Sequence, residues 1–281
     1  MVIMVLRNRL KMLFAKIFLK KIILFSRHRQ REGKIIKRMT ACIPIFSNFK
    51  RVNLNKFYLI FPLSEEASTY FNANYSYLNY KKAIVPSNEA IDICIDKKRF
   101  TEFLLNNGFG NCTIKTPDIL CYPYILKKRI DHGGSNTTII DNHDTESKYK
   151  SELSSNEFFI QEYIEGYEEY AMHILMYNRE VIFYKTIKYT FAQKKFVKGI
   201  NFNQYSQEVV DHSRFIDQFK NILNAIKYDG ICCIDYKLQD ECIKIFEINA
   251  RMGASLADYI DEALHAYAKA LNLSCSALLS D

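Results

Sequence analysis

Close to the C-terminal end of the 281-residue chain, Phe246-Glu247-Ile248-Asn249-Ala250-Arg251 alternates polar with apolar residues. In a strand, successive side chains point to opposite faces, so Glu247, Asn249 and Arg251 share one face while Phe246, Ile248 and Ala250 pack behind them. Upstream, Ile231-Cys232-Cys233-Ile234-Asp235-Tyr236 holds one carboxylate in an apolar run, and Gln239-Asp240-Glu241 supplies turn residues between the two segments. Pairing them as a hairpin brings Asp235 close to Glu247. Two carboxylates and an amide oxygen, from Asp235, Glu247 and Asn249, suit Mg²⁺ (or Mn²⁺ in its place), which takes few protein oxygens and leaves its other positions for water and nucleotide phosphates. Arg251 would then stabilise transferring phosphoryl or acyl-phosphate oxygens. A structural Glu247–Arg251 ion pair on a half-exposed edge strand would give the same alternation. The rest of the chain has to decide between them.

A second set of chemical residues lies earlier. Tyr122 to Lys128 reads as a strand ending in Lys127 and Lys128, followed by Asp131-His132-Gly133-Gly134-Ser135-Asn136-Thr137 and a further strand, Thr138 to Ile140. A small-residue loop can fold over phosphates and present backbone N–H groups, with a neighbouring lysine supplying charge. Gly-Gly-Ser-Asn is also ordinary hairpin-turn chemistry. Next, an apolar strand from Phe158 runs into Gln161-Glu162-Tyr163-Ile164 and an acidic turn, then into the alternating strand Tyr170 to Met176. Backbone groups at Gln161 to Ile164 could bind an adenine edge and Glu169 could hold ribose hydroxyls, or the acids could form a solvated turn. Lys185, Lys188 and Lys198 read as surface lysines that could also meet phosphates or a carboxylate substrate.

In this order, over residues 91–256 and more loosely over 57–90, the pieces resemble the ATP-grasp superfamily, in the branch that includes the ATP-binding domains of carbamoyl-phosphate synthetase and biotin carboxylase. The resemblance implies an α+β fold in which two α+β lobes clamp ATP, with residues 1–90 as a basic segment and reduced α/β domain and 91–281 as the ATP-grasp domain. It implies Lys97 and Lys127 on the nucleotide phosphates, and Gly133, Gly134 and Ser135 in the loop that closes over them. Gln161, Glu162, Tyr163 and Ile164 become the adenine hinge and Glu169 the ribose carboxylate. Asp235, Glu247 and Asn249 become the metal ligands, and Arg251 the catalytic arginine together with Lys127. The phosphate loop departs from the family in having two glycines beside His132 and Asn136, and Lys128 stands where many members have proline. The implied activity is ADP-forming carboxylate–amine ligation on small-molecule substrates. A catalytically silent ATP-binding scaffold, docked by the basic N-terminus, is the alternative.

Several elements must position these residues. Lys21 to Ser26, Phe57 to Pro62 and Ala83 to Pro86 read as strands, and Ser64 and Ser87 cap helices. Asp96 opens a helix from Lys97 to Asn107 that ends at Gly108. Strands and loops are expected from Tyr122 until a helix at Asp211 to Ile226, and a last helix at Ser255 to Ala270.

Charge and cysteine usage narrow the setting. Residues 1–56 hold 15 Lys/Arg against the single acid Glu32, which leaves 24 Lys/Arg against 30 Asp/Glu for residues 57–281. Nucleic-acid binding would have to rest on the basic arm and is disfavoured for the acidic body. Residues 1–26 contain no uncharged run long enough to span a membrane. They read as an imperfect amphipathic helix at an anionic lipid surface, or as a basic leader to a first strand. The eight cysteines show no CxxC spacing and read as reduced thiols of a cytoplasmic protein. A homodimer is compatible with the sequence.

Overall fold

Short apolar runs build the first sheet: β1 (Ile22–Phe25), β2 (Ile43–Phe46) and β3 (Leu59–Phe61) pair in parallel in the order β2-β1-β3, with α1 (Gln30–Met39) between β1 and β2. The structure is a computed structural model and describes residues 21–26, 30–39, 43–117, 121–131, 136–200 and 205–273. The amphipathic segment proposed for residues 1–26 therefore lies outside the described residues up to residue 20, while its last part is β1. Ser64 caps α2 (Glu65–Tyr75) by accepting from the Ala67 amide at 3.2 Å. Ser87 caps α3 (Asn88–Ile95) in the same way. Asp96 then caps α4 (Lys97–Asn106), and Gly108, with φ +83°, takes the left-handed conformation that ends it. A division between residues 90 and 91 falls inside α3.

β4 (Tyr124–Lys128) lies between β5 (Thr137–Ile140) and β6 (Phe158–Glu162) in an antiparallel sheet, with the short helices α5 (His143–Lys148) and α6 (Lys150–Leu153) connecting β5 to β6. The third sheet is antiparallel in the order β11-β10-β7-β8-β9. Its strands are β7 (Glu168–Tyr177), β8 (Glu180–Phe191), β9 (Tyr205–Val210), β10 (Gly230–Gln239) and β11 (Cys242–Asn249). α7 (Ile216–Ile226) precedes β10, and α8 (Ile260–Ala270) follows β11. Phe219 and Leu223 of α7 and Phe100 and Leu104 of α4 pack with Met172, Ile174, Cys232 and Ile234. Ile23, Phe25 and Leu59 of the parallel sheet, with Leu264 and Tyr267 of α8, pack with Leu175 and Ile231. Covered on both faces, β7 and β10 therefore read as nearly continuous apolar runs.

Three sequence expectations change. Ala83 to Pro86 is no strand: Ala83 makes an isolated bridge to Asn79, and the Ile84 backbone pairs with the Tyr267 hydroxyl instead of with a neighbouring strand. The helix expected from Asp211 starts at Ile216, because Asp211 accepts from the Ser213 amide and winds the chain into a 3₁₀ turn first. The C-terminal helix likewise begins at Ile260, after a 3₁₀ segment at Ala254–Tyr259. The two short helices after β5 carry no buried residues, so they leave no apolar periodicity to read. Among the described residues, no helix is long and apolar enough to cross a membrane.

The Tyr267 hydroxyl also lies 3.0 Å from Ile84 O and 3.3 Å from Ile60 O, so it joins α8 to the edge of the parallel sheet in a fully buried position. Tyr267→Phe leaves the Ile84 N–H without that acceptor. The expected loss is about 1–3 kcal/mol of stability, measured by urea unfolding, with no change in the unfolding cooperativity.

Candidate active site

β10 and β11 are joined by a two-residue turn at Asp240 and Glu241, whose φ values of +49° and +59° are those a tight hairpin demands. The turn alone would pair Asp235 with Phe246; a one-residue shift in β11, with Phe246 as the extra residue, sets Asp235 opposite Glu247. Asn249 Nδ2 donates to Asp235 Oδ2 and to Glu247 Oε1, both at 3.2 Å, and Arg251 Nη2 donates to Asn249 Oδ1 at 3.2 Å. The four residues thus form one hydrogen-bonded row. Its far end is held by Glu65, in the first turn of α2, whose carboxylate accepts from Arg251 Nε at 3.0 Å. From sequence Glu65 reads only as an acid at a helix N-terminus, and nothing local marks it as the partner of Arg251.

Lysines reach the row from other elements. The Asp96 carboxylate accepts from the amides of Lys98 and Arg99 and from the Arg129 guanidinium, while the Lys97 amide donates to Arg129 O at 3.0 Å. This fixes the start of α4 against the end of β4 and aims Lys97 Nζ at Glu247 Oε2, 3.2 Å away, and at Asp131 O, 2.8 Å away. Lys127, buried on β4, donates to Phe246 O at 3.3 Å. Burial pushes its ammonium down to about 8 against the pull of Glu247. Burial pushes the Glu247 carboxyl up, but Lys97 and Lys127 outweigh it and hold the group down at about 2. For Asp235 burial prevails, raising it to about 6 although Lys198 opposes.

These groups face a cleft of about 730 Å³ between the β5-β4-β6 sheet and the five-stranded sheet, with α2 and Asn48 to Lys50 at one end. Every described residue expected at the site lines it: Lys97, Lys127, Gln161, Glu162, Tyr163, Ile164, Glu169, Asp235, Glu247, Asn249 and Arg251. Gly133, Gly134 and Ser135 lie outside the described residues. The flanks of that loop meet where Asn136 N donates to Asp131 Oδ2 at 3.0 Å and Lys128 N to Asn136 O at 3.1 Å.

An ATP-grasp domain pattern matches residues 94–255, more than half of the chain. The chain belongs to the ATP-grasp family. D-Alanine–D-alanine ligase from Bacillus anthracis, solved with ATP, aligns with a TM-score of 0.58 at 15% identity, over 90% of this chain and 95% of that one. L-Amino acid ligase from Bacillus licheniformis aligns at 0.57 and 12% identity, over 85% and 69%. Biotin carboxylase from Campylobacter jejuni aligns at 0.56 and 15% identity, over 96% and 69%. At these identities the likeness establishes the fold alone, an α+β ATP-grasp fold with a small parallel N-terminal sheet. No curated protein matches the chain in sequence.

In this ATP-grasp protein the segment Gln161 to Ile164 is partly bonded. Glu162 N donates to Lys115 O at 2.9 Å, Gln161 Nε2 to Thr101 Oγ1 at 3.1 Å, and Tyr163 OH to Lys194 O at 2.8 Å. Ile164 O accepts from Lys237 Nζ at 2.8 Å. Lys237 is buried on β10, 4.1 Å from the centre of the Phe196 ring, and burial lowers its ammonium to about 8. Sequence reasoning passed over it, although a lysine two positions after Asp235 in an apolar strand must share that residue's face. Behind the row, neutral His173, pushed down to about 3 by burial, pairs through Nε2 with Ser255 Oγ at 2.9 Å. Gly253 crosses its ring so closely that an added Cβ would lie 2.7 Å from His173 Cε1 and 2.8 Å from Cys233 Sγ. Of the lysines after the hinge, Lys185 and Lys188 pair with Glu262 and Glu208. Lys198 alone of the three turns into the cleft, so its reading as a solvated surface lysine is corrected.

The donor set fits a hard divalent cation. Asp235 and Glu247 stand cross-strand, and each carboxylate already holds a positive charge, Lys198 Nζ at 2.6 Å and Lys97 Nζ at 3.2 Å. Asn249 turns Nδ2 toward the carboxylates, so offering Oδ1 to a metal requires half a turn of its amide.

Lys127 yields a pH test. Its folded value of about 8 lies below its ordinary 10.5, so the folded state binds fewer protons than the unfolded state between those values. The buried charge costs stability below pH 8, and that cost fades as pH rises toward 10.5. The stability of Lys127→Met relative to the parent is expected to fall as pH rises from 8 toward 10.5, with a slope of at most about 1.4 kcal/mol per pH unit. Urea unfolding of both proteins across that range checks it; a difference that does not vary with pH would mean Lys127 titrates as an ordinary lysine.

Proposed function

We propose that the protein is an ATP-dependent ligase that activates a substrate carboxylate as an acyl phosphate and joins it to an amine, releasing ADP and phosphate. Members of its family are ATP-dependent carboxylate–amine ligases. The observation that carries the reading is the row Asp235, Glu247, Asn249 and Arg251 facing Lys97 and Lys127 across one cleft. Arg251 is anchored by Glu65 through Nε while Nη2 reaches the row, which supports a guanidinium held in place for an anionic group in the cleft.

Each residue has work in this scheme. Lys97 and Lys127, fixed by α4 and β4, would hold phosphate oxygens, and the segment Gln161 to Ile164 would bind the adenine edge, with Glu169 on the ribose. Asp235, Glu247 and Asn249 would hold Mg²⁺, which would supply charge neutralisation to the phosphates. A carboxylate oxygen of the substrate attacks the γ-phosphorus and the bond to ADP breaks. The amine nitrogen then attacks the acyl carbon and phosphate leaves. Arg251 lies where it can stabilise the charge that builds on the transferring group and on the acyl phosphate. No side chain needs to become covalently bound, because positioning and charge neutralisation carry this chemistry.

The test is ADP and phosphate release by the purified protein with MgATP, challenged with pools of amino acids, small carboxylic acids and polyamines. Stimulated release is expected with at least one pool, and Glu247→Gln and Arg251→Ala should each reduce it about 100-fold or more in protein that circular dichroism shows to be folded. Near-parental turnover in both variants would sink the assignment of the site. ATP binding without stimulated release from any pool would favour the silent scaffold.

A further inference from the structure

Lys198 is a charged cleft side chain that the scheme above leaves without a role. Its Nζ sits 2.6 Å from Asp235 Oδ1 and 2.9 Å from Glu169 Oε1, with the Tyr189 ring centre 4.7 Å away. Those carboxylates are the ones assigned to the metal and to the ribose, so a single ammonium already spans both positions at contact distance.

Lys97, Lys127 and Lys198 stand against Glu169, Asp235 and Glu247 and Arg251 is matched by Glu65, so these carboxylates are already compensated, and the Lys237 ammonium, turned to the carbonyl of Ile164, adds a positive charge beyond them. A bare dication entering this poorly solvated cluster adds two uncompensated charges. The same ion carried on a polyphosphate brings its own anions. Lys97 begins a capped helix and Lys127 lies in the middle strand of its sheet, so both ammoniums are tied to fixed elements. Lys198 lies beyond the end of β8, outside any strand or helix, and can withdraw by a change of loop conformation.

We propose that Lys198 is a tethered counter-cation: it excludes free divalent metal from Asp235 and gives way to metal that arrives bound to nucleotide. The inference rests on Asp235 and Glu169 as metal and ribose residues, and it is independent of which acid or amine is joined.

The experiment measures Mn²⁺ binding to the full-length protein by electron paramagnetic resonance, with and without ADP, for the parent, Lys198→Met and Lys198→Gln. Without ADP the parent should bind Mn²⁺ weakly and both variants at least about tenfold more tightly; adding ADP should restore tight Mn²⁺ binding to the parent. Asp235→Asn in the Lys198→Gln background should remove the gain. Parental Mn²⁺ affinity that is already as high without ADP as with it overturns the proposal, whatever the variants do. So does an unchanged affinity in folded Lys198→Gln, or a gain that survives Asp235→Asn. A protein that shows the Lys198 effect yet releases no ADP with any substrate pool supports the tether and sinks the ligase reading alone.

Discussion

Two carboxylates set side by side in a poorly solvated cleft are unstable unless positive charge is brought to them, and the architecture around Asp235 and Glu247 answers that demand. The hairpin and its irregularity at Phe246 fix the pair, because without that one-residue shift Glu247 would turn away from the face that carries Asp235. Compensation then has to come from elsewhere in the chain. It arrives from the start of α4, from the middle strand of a different sheet and from the segment after β8. Even the Asp96–Arg129 bridge serves this end, since it fixes the first turn of α4 and with it the reach of Lys97.

The fold joins two kinds of support. The five-stranded sheet supplies the carboxylates and is sandwiched between helices on one face and the parallel sheet with α8 on the other, which makes it the rigid half. The β5-β4-β6 sheet supplies Lys127, Gln161 and Glu162 and has a much smaller core, centred on Tyr124, Leu126 and Ile140. Arg251 is tied to a third element, the N-terminus of α2. Any molecule entering the cleft therefore meets side chains answering to three separate packing units.

Much of the site could be read from sequence because the signals are local. Period-two alternation marked Glu247, Asn249 and Arg251 and side-chain caps located α2, α3 and α4, whereas the one-residue shift at Phe246 that brings Glu247 opposite Asp235 leaves no mark in the sequence. What else escaped depends on distant pairings. Glu65 and Arg251 are 186 positions apart, and Lys198 and Asp235 are 37 apart across an irregular segment, so neither partnership leaves a trace in spacing. Ala83 to Pro86 has strand-like composition, yet a tyrosine hydroxyl from the far end of the chain takes the hydrogen bonds that a neighbouring strand would have made.

The close passage of Gly253 over His173 and Cys233 bears on how this chain can vary over time. With less than 3 Å available for a Cβ, any larger residue at position 253 has to be accompanied by smaller ones at 173 or 233, or by a shift of the backbone that carries Arg251. These positions lie on three separate segments, β7, β10 and the stretch after β11, yet they form one unit of inheritance. In a set of diverging relatives they should change together or not at all, whereas the exposed residues of the hairpin turn drift independently.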